Sequence, residues 1–223
     1  MTKPDEYMEA LESGQHSPDE LRANDRHALM LRGAKLVCES GEYLCIIRDV
    51  SETGVRLRLF HALPRDPQLA LELANGDVYF IERIWERGDE AGFRFAAPID
   101  VHAFISEPSP YPRRPLRLRI SLDALVFTDE IAREAEVLDL SQYGACIETR
   151  RPLPIGRKIR LEAEGLPPLA ANICWRSRQR HGLVFRQSFA FDELARLAGK
   201  LQDCGKKPGM PTRTITTGQT RYA

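Results

Sequence analysis

RDVSETG at residues 48–54 and LDLSQYG at residues 138–144 share one pattern: an aspartate, a serine and a glycine at i, i+2 and i+5. A single turn of this kind says little, because a tight reversal favours an acid and a hydroxyl for local hydrogen bonding and a glycine for backbone freedom. Its recurrence at a fixed distance says more. Asp49 and Asp139, Ser51 and Ser141, and Gly54 and Gly144 are each 90 positions apart. The same offset relates Leu63-Pro64 to Leu153-Pro154, Glu72 to Glu162, Trp85 to Trp175, Gly92 to Gly182 and Phe95 to Phe185. Turn chemistry alone does not hold one offset from Asp49 to Phe95, so two copies of one fold stand in tandem.

Periodicity gives the kind of fold. In LRLRISLDALV, residues 116–126, Leu116, Leu118, Ile120, Leu122, Ala124 and Val126 alternate onto one face, which predicts a half-buried strand. ACIET, KIRLEA, AANICWRS and GLVFR read as further short strands, with QRHG, residues 179–182, as the hairpin turn between the last two. The first copy repeats the plan in LMLRGAKLVC, YLCIIRD, VRLRLF, QLALEL, VYFIERIWE and GFRFA. Five or six short antiparallel strands per copy suit a small barrel, which closes and so exposes no edge. The expected fold class is mainly all-β, with two tandem small antiparallel barrels. In FAFDELARLAGKLQ, Phe191, Leu194, Leu197, Ala198 and Leu201 share a helical face, predicting a C-terminal helix across the second barrel. Its counterpart DVHAFI is short. The expected division is an N-terminal tail over 1–16, a first domain over 17–105, a proline-rich linker over 106–112, a second domain over 113–202, and a disordered tail over 203–223.

Charge and composition exclude several classes. With 32 Lys and Arg against 32 Asp and Glu there is no global basic field of the kind that holds duplex DNA, so any anion site is local. No run approaches the roughly 18 apolar residues of a membrane span, and a cytoplasmic protein without membrane insertion is expected. The five cysteines, Cys38, Cys45, Cys146, Cys174 and Cys204, never form Cys-x-x-Cys and read mostly as buried strand residues. The histidines lack ligand spacing, so no metal site is expected. Trp85 and Trp175, in alternating strands, read as core or edge packing rather than stacking platforms. Arg176, Arg178 and Arg180 alternate, which puts three positive charges on one strand face.

Each acidic turn has an arginine pair upstream. Arg113 and Arg117 are four apart in RRPLR, with Arg114 beside them, and Arg22 and Arg26 are four apart in LRANDR. Arg22 precedes Asp49 by 27 residues and Arg113 precedes Asp139 by 26. Arg-x-x-x-Arg, then Asp-x-Ser-x-x-Gly after the first strand of a small barrel, with Trp and Gly-x-x-Phe downstream, resembles the PilZ domain, the bacterial receptor for cyclic di-GMP. The resemblance covers about residues 21–104 and 113–202.

The resemblance implies a ligand gripped between an arginine arm and the barrel wall, with Arg113, Arg114, Arg117, Asp139, Ser141 and Gly144 in the second copy. In the first copy the same positions are Arg22, Arg26, Asp49, Ser51 and Gly54. The chemistry suits such a ligand. Guanidinium serves phosphate by bidentate hydrogen bonds and guanine by stacking or by a fork onto O6 and N7, and a carboxylate accepts the guanine N–H groups. The second copy is the better site, because Asp25 lies beside Arg26 and competes for its charge. The expected function is a non-enzymatic cyclic di-GMP sensor, without another cofactor, that signals to an unidentified protein partner and does not bind DNA. The alternative is an interaction adaptor in which one or both nucleotide sites are degenerate. No Ser/His/Asp order, phosphate loop or metal cluster supports an enzyme.

Overall fold

The computed structural model describes residues 27–204 except 111, 113 and 130. The first copy comprises β1 (His27–Cys38), β2 (Gly41–Val50), β3 (Gly54–Leu59), β4 (Leu69–Glu72), β5 (Val78–Arg87), β6 (Glu90–Phe95) and the short helix α1 (Val101–Ser106). The second comprises β7 (Arg117–Thr128), β8 (Ile131–Ser141), β9 (Gly144–Thr149), β10 (Lys158–Ala163), β11 (Leu169–Ser177), β12 (Arg180–Phe185) and α2 (Phe191–Cys204).

Both copies are closed six-stranded antiparallel barrels of identical topology, β1-β2-β3-β6-β5-β4 and β7-β8-β9-β12-β11-β10. Closure comes from β1 on β4 and β7 on β10. Each ring therefore has no free edge, and alternate residues must point inward. Leu118, Ile120, Ala124 and Val126 do so on β7, all under 9% exposed; Leu122 is less buried, next to the register shift between Arg119 and Leu122. Val55, Leu57 and Leu59 do the same on β3. Asp100 caps α1 by accepting the Ala103 N–H at 3.0 Å.

The basic run at the β11–β12 hairpin departs from its sequence reading. β11 ends at Ser177, Arg178 takes a left-handed turn conformation at φ 55°, and β12 resumes at Arg180 opposite Ser177. The reversal is a two-residue turn, so the three arginines do not share one strand face. Cys38, Cys45 and Cys146 are buried and Cys174 is exposed. No helix is long and apolar enough to cross a membrane, and no cluster of three or more His, Cys, Asp or Glu suits a metal, both among the described residues. The expected tails lie largely outside the described residues.

The barrels are joined by more than the linker. α2 packs Leu194, Ala195, Ala198 and Leu201 into the second barrel and also contacts β2 of the first. Leu44 of β2 is 1% exposed and belongs to the core of the second barrel, while Phe60 meets Phe191 edge-on at 6.0 Å. At the centre is Glu42, 3% exposed. It accepts from Lys35 Nζ at 3.1 Å, from the Arg119 backbone N–H at 2.9 Å and from Arg119 Nε at 2.5 Å. The Gln202 side chain donates to the carbonyls of Glu42 and Arg119, both at 3.2 Å. The linker is also anchored where it leaves the first barrel, since Glu107, 6% exposed, pairs with Arg32 at 3.0 Å.

His181 of β12 points into the second barrel, fully buried, and its Nε2 accepts the Leu153 N–H at 2.9 Å. Burial pushes the imidazole below its ordinary value of 6.5, and Arg176 adds to the shift, so the ring is held neutral. The unfolded ring gains its proton from about pH 6.5 downward, so the stability from burying it neutral is intact above that value and is lost as the pH falls toward the lowered folded-state value. Thermal unfolding followed from about pH 7.5 to about pH 5 should show a decline beginning near the unfolded pKa, and His181→Asn should lack that part of the decline.

Candidate functional site on the wall of the second barrel

The acidic turn follows the second strand of each barrel, not the first as the sequence suggested, because the long first strand lies between the arginines and β2 or β8. Its serine and glycine close the reversal. Ser51 N–H donates to the Gly54 carbonyl at 2.8 Å and Gly54 N–H to Ser51 Oγ at 3.2 Å. In the second copy Ser141 Oγ donates to the Gly144 carbonyl at 3.0 Å and the residue is 1% exposed. These hydroxyls hold the turn.

Two further bonds bolt each turn to the end of its barrel, and they repeat residue for residue. Phe95 N–H donates to Thr53 O at 2.9 Å and Ile99 N–H to Glu52 O at 2.9 Å; Phe185 N–H donates to Tyr143 O at 2.9 Å and Phe189 N–H to Gln142 O at 3.0 Å. The fixed distance between the acidic turn and Gly-x-x-Phe thus has a structural cause: the last residue of the final strand, and the chain just after it, hydrogen-bond to the turn.

From each aspartate a row runs across the outer wall in strict register. In the second barrel it is Arg119, Asp139, Cys146, Gly182 and Trp175; in the first it is Ala28, Asp49, Arg56, Gly92 and Trp85. The tryptophans lie on the outer wall, 38% and 42% exposed, each laid across its glycine. A Cβ on Gly92 or Gly182 would fall 2.1 or 1.9 Å from the indole Nε1, which explains why tryptophan and glycine recur together.

Among the described residues the two aspartates have different partners. Asp139 accepts from Arg117 Nη1 at 2.6 Å and from the Cys146 N–H at 3.1 Å, so the arm arginine reaches the carboxylate from outside the turn. Arg117 remains 48% exposed in its side chain, and Arg114 is exposed three residues before it. Asp49, 7% exposed, accepts from Nε of Arg56 on its own barrel at 2.6 Å, and Arg56 also reaches Glu90 at 3.4 Å. Arg113, Arg22 and Arg26 lie outside the described residues. In the second barrel the structure therefore brings together Arg117, Asp139, Ser141 and Gly144, with Arg114 in the exposed approach to β7. The wall offers an exposed guanidinium beside a carboxylate, which suits a ligand bearing both an anion and N–H donors. Sequence reasoning missed Cys146 and the Glu42 contact of Arg119; register across four strands, not spacing along the chain, places them.

Residues 111–201 match the family model for the PilZ domain. The second barrel is a PilZ domain, and the first barrel repeats its topology. Solved structures with similarity include the Borreliella burgdorferi PlzA protein in complex with c-di-GMP, at 12% identity and TM-score 0.34, covering 75% of this chain and 87% of that one. The Bacillus subtilis inhibitor of motility MotI/DgrA has 12% identity and TM-score 0.33, with 76% and 95% coverage. Escherichia coli YcgR in complex with c-di-GMP has 12% identity and TM-score 0.31, with 78% and 82% coverage. Among curated proteins none matches the chain.

The close approach at Gly144 makes a testable difference between the copies. A Cβ there would lie 1.9 Å from the backbone oxygen of Leu183, which no rotamer relieves, whereas at Gly54 the nearest atom is the Phe93 oxygen at 2.9 Å. Gly144→Ala should destabilise by about 3 kcal/mol and Gly54→Ala by about 1 kcal/mol, as read from chemical denaturation.

Proposed function

We propose that this protein is a non-enzymatic receptor for cyclic di-GMP that takes the ligand on the wall of its second barrel. The observation that carries the reading is the Arg117–Asp139 pair at 2.6 Å, set on the acidic turn of a PilZ domain with Arg114 exposed beside it. Arg113, Arg114 and Arg117 grip phosphate and guanine. Asp139 accepts guanine N–H groups, and Ser141 and Gly144 shape the turn that presents it. The messenger is soluble, and the protein acts in the cytoplasm without entering the membrane. Equal numbers of basic and acidic residues give it no general hold on DNA.

The output is a changed surface offered to a protein partner. Ligand gripped by the arm acts on β7, and β7 also carries Arg119, the second barrel's contact with Glu42. The ligand shifts this arrangement only as far as it prefers one state of the arm over another. The first barrel carries a corresponding site at Arg22, Arg26, Asp49, Ser51 and Gly54. A specific observation also favours the adaptor reading for this barrel: Asp49 is already bonded to Arg56 of its own wall.

Calorimetric titration with cyclic di-GMP tests the reading. Charge-assisted hydrogen bonds are worth about 1.5–3 kcal/mol each, so Arg113→Ala combined with Arg117→Ala should remove measurable affinity. Unaltered affinity in that variant would favour the adaptor alone. Small-angle scattering should change on saturation, and an unchanged profile would remove the rearrangement while leaving binding in place.

A further inference from the structure

Arg119 stands where the first barrel, the second barrel and the candidate site meet. It follows Arg117 by two residues on β7, so the two side chains leave the same outward face about 7 Å apart. Across the ladder Arg117 faces Ser141 and Arg119 faces Asp139, which places both residues next to the acidic signature in register, with the Arg117 guanidinium on Asp139 and the Arg119 Nε on Glu42.

The joint holds Arg119 by one edge. Its backbone N–H and its Nε both donate to Glu42, at 2.9 and 2.5 Å, and its carbonyl accepts from Gln202 at 3.2 Å. Glu42 is shared with Lys35, so Arg119 is not its sole counter-charge. Despite these bonds the Arg119 side chain is 47% exposed, and among the described residues no acceptor meets its two terminal amino groups. A half-exposed guanidinium held through its Nε by a buried carboxylate, with its terminal N–H₂ groups left over, is preorganised for a second anion. The first barrel has no counterpart, since Ala28 occupies the register position opposite Asp49.

We propose that Arg119 is a further phosphate-gripping residue of the second barrel, positioned by Glu42 of the first, so that the anion site is complete only when the barrels are joined. This rests on the reading of the second barrel as a cyclic di-GMP site. A residue that only tied the barrels together would leave ligand affinity indifferent to its terminal nitrogens.

The test is titration of the full chain with cyclic di-GMP, with thermal unfolding measured alongside. Arg117→Ala should lose binding, which secures the underlying reading. Arg119→Lys keeps a cation for Glu42 but not the planar pair of terminal amino groups. It should unfold at the wild-type temperature and bind about tenfold more weakly. Arg119→Met should bind at least as weakly, and if that variant does not fold the lysine variant carries the test. Glu42→Gln should weaken binding in the wild-type background and add no loss on top of Arg119→Met. Wild-type affinity in Arg119→Lys and Arg119→Met, beside lost binding in Arg117→Ala, overturns the role of Arg119 and leaves the site intact. An equal effect of Glu42→Gln with and without Arg119 overturns positioning by Glu42. A wild-type chain that does not bind overturns both the site and the inference.

Discussion

A carboxylate with only 3% of its surface exposed must be met by charge or become neutral, and Glu42 is met from both barrels. Lys35 supplies one cation from the neighbouring strand of the first barrel, and Arg119 supplies the other from β7 of the second. Each barrel thus supplies one of the two cations that meet this carboxylate, so the relative placement of the barrels is written into this cluster. Gln202 adds polar bonds to both main chains at the end of α2, and Leu44 and Phe60 surround the joint with apolar surface. Two domains linked only by a proline-rich segment would move independently by default. This joint makes them one packed body.

The duplication is conserved most closely where backbone chemistry demands it. The bonds from Phe95 and Ile99 to the first turn return as those from Phe185 and Phe189 to the second, and each tryptophan lies on its own glycine. These are constraints on closing a small barrel. The copies differ where no such constraint acts, at Arg56 against Cys146 and at Ala28 against Arg119. Among the described residues the first pair changes which group meets the aspartate: a wall arginine in one barrel, and Arg117 with a backbone N–H in the other. Divergence in chemistry on a common frame is what a tandem protein needs if its halves are to have separate duties.

Much of the fold was legible in the chain. Alternation in LRLRISLDALV gave β7, the apolar stripe from Phe191 to Leu201 gave α2, and the offset of 90 gave the repeat. The β11–β12 hairpin is legible as QRHG, but its turn lies earlier, at Arg178 with positive φ, so arginines at alternate positions mimic a strand face they do not share. The arms were legible only as arginine spacing. The partners of those arginines were not, because Asp139, Cys146 and Glu42 approach through strand pairing and domain contact.

The sequence by itself determined two barrels, their acidic turns and the arginines upstream, because side-chain period and turn chemistry are local and repeat along the chain. Tertiary structure decided that Arg119 serves Glu42, 77 residues away, that Asp49 and Asp139 differ in their partners among the described residues, and that Leu44 of the first barrel packs into the core of the second. Register across a closed sheet and the burial of a charge depend on which surfaces come together in space, and no spacing along one strand contains that information.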